Sequence, residues 1–180
     1  AYVERYEDAM IANTLRMLIC IVIGFTMVAL KNGIPALIVA PDVLAVTLLS
    51  GISNAVFVVM WLIIVKNGAY MMLDVFCTIG IIIPLLGGMI WFGEAVRAVQ
   101  WLGMGLLLCA VCIMCSYNNS VKRKMTVSSF IMLMICGAAN GFTDFSQKMF
   151  VKQAADTPIS VFNFYTYLVS AVILFVCYII

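Results

Sequence analysis

The chain has 180 residues, of which 66% are hydrophobic and only 10% carry a charge. Because soluble domains contain about 25% charged residues, this composition excludes an ordinary soluble protein. The formal net charge of +2, without a basic stripe among aromatic residues, also argues against a nucleic-acid-binding domain.

Six apolar runs account for nearly the whole chain. A bilayer core of about 30 Å is crossed by about 20 residues of α-helix. In chain order the runs are 11–30, 43–65, 69–92, 99–116, 127–150 and 158–180. We therefore predict an all-α membrane protein, a bundle of six transmembrane helices that passes repeatedly through the cell membrane and is surrounded by lipid.

The basic residues near the ends of the runs divide between the two faces of the membrane. Side X, where the first run begins, carries Arg5, Lys66 and residues 122–124; side Y carries Lys31, Arg97, Lys148 and Lys152. The small excess on side X favours a cytoplasmic position for that face under the positive-inside rule. Such a small difference leaves the membrane orientation open.

The first and third runs each contain a charged residue inside the membrane. Arg16 lies about 8 Å from side X, and Asp74 lies at a similar depth. Since an unpaired ion there costs about 3 kcal/mol or more, we expect the two charges to be coupled. They are predicted to flank a water-filled cavity or gate. A static pair, or snorkelling of each side chain to the interface, fits the same positions.

Polar residues near the membrane midplane predict a substrate cavity. Asn54 and Asn140 lie there, in the second and fifth runs. Pro84 lacks a backbone donor, so it is expected to kink the third run and to free the carbonyl of Gly80. Transporters place substrates beside such helix breaks, although a proline kink can also be purely architectural. The aromatic candidates for the cavity wall are Phe57, Trp61, Tyr165 and Tyr167.

The fifth run presents a polar face near side Y. Asn140, Asp144 and Lys148 are spaced four residues apart and therefore share one face of the helix. Asp144 is a candidate for binding a proton or a cationic substrate, but an intrahelical pair with Lys148 explains it equally well. Gly137 and Gly141 form a small-xxx-small pair, which predicts close helix packing.

The cysteines and the absent catalytic motifs argue against an enzyme. All seven cysteines lie inside apolar runs, and Cys109, Cys112 and Cys115 recur at every third position. Zinc sites combine such residues with ligands on polar loops, and the chain has no His, so we interpret the cysteines as packing residues. No nucleophile elbow or phosphate-binding loop occurs either. We expect neither enzymatic activity nor a metal or cofactor.

Two of the runs resemble each other weakly. Residues 12–19 align with residues 162–169, with Asn13 opposite Asn163 and Leu18 opposite Leu168. The two helices are an odd number of crossings apart, so they traverse the membrane in opposite directions. Inverted repeats of this kind underlie many secondary transporters. Chance similarity between two apolar segments remains an alternative.

A more specific resemblance lies in the third and fourth runs. A mid-helix proline, Pro84, precedes the pair Gly93 and Glu94 at the membrane edge by about ten residues. This pattern is similar to the fourth helix of the drug/metabolite transporter superfamily (EamA-like domain). The segments 13–16, 101–108 and 125–152 resemble the second, fifth and sixth helices of that family, respectively.

The resemblance implies an inverted-repeat fold of ten helices in two halves of five, of which this chain would carry helices two to seven. Residues 1–124 would then be most of the first repeat, and residues 125–180 the start of the second. The chain is therefore expected to be a piece of a longer protein. At the rim, Glu94 would cap the next helix or pair with Arg97. The family's arrangement would put side X outside, against the count of basic residues.

The sequence thus predicts a secondary transporter that moves small metabolites or drug-like compounds by alternating access, with proton coupling left open. Its expected partners are membrane lipid and a small-molecule substrate, with no nucleic acid, and homodimerisation is undecided. The alternative is a non-transporting structural or channel-like protein of six helices.

Overall fold

A computed structural model describes residues 4–66, 70–121 and 126–179, and these residues form helices joined by short linkers. The helices are α1 (Glu4–Lys31), α2 (Pro41–Lys66), α3 (Tyr70–Ile79), α4 (Ile82–Phe92), α5 (Ala98–Val121), α6 (Val127–Gln153) and α7 (Ile159–Ile179). A short 3₁₀ turn (Ile34–Leu37) lies between α1 and α2. The basic residues 122–124 predicted for side X lie outside the described residues, as does the side chain of Arg5.

Within the described residues, six segments are long and apolar enough to cross a membrane. They are Asp8–Lys31, Pro41–Lys66, Met72–Phe92, Ala98–Tyr117, Val127–Gln153 and Ile159–Ile179. The predicted all-α architecture is therefore confirmed, and the six segments are compatible with a multi-pass membrane protein. Large apolar side chains such as Leu30 and Leu102 are exposed on the outer faces of the helices, where a bilayer would surround them.

Two helices, α2 and α6, pack against each other at the centre of the bundle. On one flank α1 and α7 pack together, and both contact α2. On the other flank α3 and α4 pack on α6, and α5 packs on α3. The two segments that align in the sequence therefore lie side by side on the same flank.

The third span is interrupted, because α3 ends at Ile79 and α4 begins at Ile82. The predicted kink is therefore present, about one turn before Pro84. However, the carbonyl of Gly80 is not free, since it accepts a hydrogen bond of 3.0 Å from the backbone N–H of Ile83. The break tightens into a 3₁₀-type turn, which satisfies a group that a simple proline kink would leave unpaired.

The broken span approaches α6 through three glycines, Gly80, Gly137 and Gly141, which we call the glycine contact. A Cβ atom on Gly137 would collide with the carbonyl oxygen of Phe76, and one on Gly141 would collide with the carbonyl oxygen of Gly80. A Cβ atom on Gly80 would in turn collide with the carbonyl of Gly137. The packing interpretation of Gly137 and Gly141 is thus confirmed, and their partner is the helix break itself.

We predict that Gly137→Ala lowers the free energy of unfolding by about 1–3 kcal/mol, because the added methyl group forces α3 and α6 apart. The matched control is Gly103→Ala in α5, where an added Cβ meets no atom within 4 Å; this change should be neutral or stabilise by up to about 1 kcal/mol. Thermal unfolding in detergent micelles measures both. Equal effects of the two substitutions would contradict the glycine contact.

Contacts between distant segments support the predicted alternation of loops. The Tyr165 hydroxyl in α7 donates a 2.7 Å hydrogen bond to the carbonyl of Leu37, in the 3₁₀ turn. Lys152, near the end of α6, forms a 3.2 Å ion pair with Glu94, in the linker between α4 and α5. The three segments assigned to side Y therefore lie at the same end of the bundle.

We predict that single cysteines at Ala40 and Thr126, in a background without other cysteines, label from opposite faces of the membrane. Both positions are exposed and lie between helices, one on each predicted side. A membrane-impermeant maleimide applied to sealed vesicles, before and after permeabilisation, measures the difference. Labelling of both positions from one face would contradict the six-span topology.

Candidate functional site

The first candidate feature is a slot between α1 and α7. The two helices run in opposite directions, so Lys31 at the end of α1 lies beside Pro158, which precedes α7. Gly24 permits the approach, since its Cβ position lies 3.3 Å from the Cα atom of Phe164. Phe25 and Phe164 also contact, with ring centroids 6.1 Å apart.

This slot contains a cavity of about 480 Å³, which we call the α1–α7 cavity. Its volume is in the range of small-molecule binding sites. The polar lining residues are Lys31, Asn32, Ser160, Asn163 and Tyr167. The remaining lining residues are Cys20, Ile23, Gly24, Met27, Pro158 and Ile159. The cavity is therefore mostly apolar, with one charged residue, Lys31, among those that line it.

Of the residues predicted to line a substrate cavity, Tyr167 alone lines this one. Asn54 instead belongs to a network between helices, in which its Nδ2 donates a 3.0 Å hydrogen bond to the Ser170 hydroxyl. That hydroxyl lies 2.9 Å from the carbonyl of Gly51 and 2.8 Å from the carbonyl of Thr166. Asn54 therefore joins α2 to α7 and has no place in the cavity wall.

Two buried hydroxyl groups, Ser50 Oγ in α2 and Thr166 Oγ1 in α7, have no hydrogen-bond partner among the described residues. Buried polar groups are usually paired, and an unpaired one costs about 1–3 kcal/mol. Both helices therefore carry one buried polar group that the described residues leave unsatisfied.

The other candidates for the cavity wall contact α6. Asn140 in α6 donates a 3.4 Å hydrogen bond from Nδ2 to the carbonyl of Cys77, near the end of α3. Phe57 in α2 packs between two apolar clusters, and its carbonyl lies 3.9 Å from the Cys136 sulfur of α6. Asn140, Phe57 and Pro84 therefore do not line the cavity that contains Tyr167.

The predicted pair of Arg16 and Asp74 is not formed. Both residues are exposed, and within the described parts of the chain neither makes an ion pair. The physical reason is the helix arrangement: α1 packs on the α7 flank, whereas α3 packs on the opposite flank against α6. Equal depth in the membrane did not make the two residues neighbours.

Of the two alternatives for Asp144, the pair with Lys148 is not formed. Asp144 is exposed on α6, but Lys148 points to Glu94, with Nζ 2.5 Å from Oε2. Lys148 Nζ also donates a 3.2 Å hydrogen bond to the carbonyl of Pro84. The intrahelical pair between Asp144 and Lys148 is therefore absent, because the lysine bonds across the helix interface.

Glu94 forms the central acceptor of an ion cluster at side Y. Its second carboxylate oxygen, Oε1, lies 3.2 Å from Lys152 Nζ. Gly88 provides the space, since a Cβ atom there would collide with Lys148 Nζ. The predicted pairing of Glu94 with Arg97 is not observed; the backbone N–H of Arg97 donates instead to the side chain of Gln100, at 2.7 Å.

The sequence contained a signal for this cluster. Lys148 and Lys152 are four residues apart and therefore lie on one face of α6, on the same side of the membrane as Glu94. Gly93, in the left-handed region with φ of 63°, ends α4 and turns the chain so that Glu94 follows directly. Hydrogen bonds from the two lysines hold the pKa of the Glu94 carboxyl below its ordinary value of 4.5.

Comparison with known protein families, curated sequences and solved structures finds no match to this chain. The resemblance to the EamA-like domain therefore stays a prediction from the sequence. Functional proposals therefore rest on the helix break, the cavity and the contacts of the described residues.

We predict that the ion cluster makes stability depend on acid pH. Because the folded state lowers the pKa of Glu94, its stabilising contribution is present above the ordinary value of 4.5 and is lost as the pH falls through the lower, folded value. Glu94→Gln should reduce this loss of stability at acid pH. The control Asp156→Asn removes an exposed carboxylate that makes no ion pair within the described residues.

Unfolding by denaturant at a series of pH values, in detergent micelles, measures the effect. The Asp156→Asn protein should keep the acid-pH dependence of the unsubstituted protein. The same dependence in the Glu94→Gln protein would show that the cluster does not stabilise the fold.

Proposed function

We propose that the protein is a secondary transporter of the EamA-like, inverted-repeat type, which moves small metabolites or drug-like compounds across the cell membrane by alternating access. The observation that carries the proposal is the interrupted third span, with its break at Gly80 and Ile81. Discontinuous helices near the membrane midplane are typical of secondary transporters.

The difference between the two flanks supports this mechanism. On one flank, the glycine contact and the Lys148–Glu94 ion pair hold α3 and α4 on α6. On the other flank, α1 and α7 line a cavity, and α7 has no charged residue with which to form an ion pair. Since no ion pair fixes α7 in place, this helix is the part proposed to move.

In the proposed cycle the substrate enters the α1–α7 cavity from the membrane leaflet on side Y, and α7 then shifts along α1 and α2. Asn54 is at the pivot, because it bonds Ser170 of α7 and also lies 3.9 Å from the Met17 sulfur of α1. Such rocking of one helix group against another is the usual basis of alternating access. Asp144, an exposed carboxylate on α6, is the candidate for proton coupling.

The second candidate function is a structural or channel-like role without transport. The observation that favours it is that Asn54 and Asn140 both donate hydrogen bonds within the protein. A transporter would use such amides to bind substrate, whereas a static bundle uses them to join helices. The two functions differ in whether the α1–α7 flank must move.

We predict that a disulfide between α1 and α7 stops transport. Gly24→Cys with Phe164→Cys suits a disulfide, since the Cβ position at Gly24 lies 3.4 Å from the Cβ atom of Phe164, close to the usual separation of about 3.5–4.5 Å. Both substitutions are made in a variant whose native cysteines have been replaced. The measurement is the uptake of a panel of metabolites and toxic analogues into proteoliposomes that contain the protein.

Oxidation should lower the uptake of any transported compound about tenfold or more, and reduction should restore it, because the flank can no longer open. Each single cysteine variant is the matched control and should transport equally under both conditions. Unchanged uptake by the oxidised double variant would contradict alternating access at this flank. Absence of uptake for every compound, in all variants, would favour the structural role.

A further inference from the structure

The α1–α7 cavity is polar at one end and apolar along its depth. Lys31, Asn32 and Ser160 lie at the side Y end, where α1 finishes and α7 begins. Cys20 lies eleven residues before Lys31 in the same helix, which corresponds to about 16 Å along the helix axis. The cavity thus extends from the membrane edge about halfway into a bilayer core of about 30 Å.

The charge of the cavity has one sign. Among the described residues that line it, Lys31 is the charged one and none is acidic. Asp156, the nearest acidic residue along the chain from α7, is exposed in the linker that precedes this helix and does not belong to the lining. The N-terminus of α7 and the C-terminus of α1 both lie at this end, so their opposite helix dipoles offset each other and Lys31 sets the charge of the site. An anion is therefore favoured there, and a cation is disfavoured.

We propose that the α1–α7 cavity binds an amphipathic anion, whose acidic group contacts Lys31 and whose apolar part extends along Ile23 towards Cys20. The ammonium group of Lys31 forms a charge-assisted hydrogen bond with the acid, and this bond is stronger at the edge of a low-dielectric region than in water. Asn163 and Tyr167, one and two turns further into α7, supply polar groups beside the apolar part.

This inference rests on the proposed transport function only in calling the bound molecule a substrate. Binding itself is measured without transport, so the two proposals fail separately. The bound acid could belong to a free amphiphile, such as a fatty carboxylate, or to an anionic lipid headgroup. Both present the same chemistry to Lys31, and the lipid composition of the assay distinguishes them.

The first experiment measures equilibrium binding of laurate to the purified protein in nanodiscs of phosphatidylcholine. Lys31→Gln should weaken binding about tenfold, because it removes the charged donor, while Lys31→Arg should keep most of the affinity. The matched control Arg97→Gln removes one positive charge from the same face, at a residue outside the cavity, and should leave binding unchanged. Dodecyltrimethylammonium, a cation with a similar chain, should not compete.

The second experiment locates the ligand. In a variant that keeps Cys20 as its single cysteine, laurate should slow modification by a membrane-permeant maleimide. A variant that keeps only Cys109 is the control, since this residue is exposed on α5 and should react at the same rate with or without laurate. If nanodiscs with phosphatidylglycerol also protect Cys20 and displace laurate, the natural source of the anion is the membrane; otherwise it is a free amphiphile.

The inference is overturned if Lys31→Gln binds laurate as well as the unsubstituted protein, or if the cationic amphiphile protects Cys20 equally well. Protection of Cys20 that depends on Lys31, without uptake of any compound, would support the binding site and overturn the transport function. Uptake of neutral or cationic compounds without laurate binding would support the transport function and overturn the binding site.

Discussion

The close approach of backbone to backbone at the glycine contact is the constraint on which the rest of the fold depends. Gly80, Gly137 and Gly141 bring the turn between α3 and α4 directly against α6. At this distance the carbonyl groups of the break are shielded from lipid, which cannot satisfy them. A broken helix is therefore stable in the membrane because the 3₁₀-type turn pairs its backbone groups and α6 covers the break.

The ion cluster and the cavity follow from the same arrangement. Once α4 lies on α6, Gly88 leaves room for Lys148 to reach both Glu94 and the carbonyl of Pro84. The α3–α4 flank is thus joined to α6 by glycines and charges. The α1–α7 flank, by contrast, has mainly apolar contacts and is joined to α2 by the hydrogen bonds of Asn54 and Ser170, and the cavity lies within this flank.

The spans and the kink could be predicted from the sequence because they depend on local properties: length, hydropathy and the missing donor of Pro84. The pairing of charges could not, because depth in the membrane does not specify which helices are neighbours. Arg16 and Asp74 match in depth but lie on opposite flanks. Lys148 and Glu94 are 54 residues apart in the chain, and only the packing of α4 on α6 brings them together.

The exposed side chains of Ile23, Met27 and Ile159 give the α1–α7 cavity an opening on the outer surface of the bundle, which in a bilayer meets the acyl chains. A molecule entering there comes by lateral diffusion within one leaflet, rather than from the aqueous phase. Its local concentration is then set by its partition coefficient between lipid and water. Apparent affinities expressed per litre of water would rise with the hydrophobicity of a compound, even where its contacts with the protein are the same.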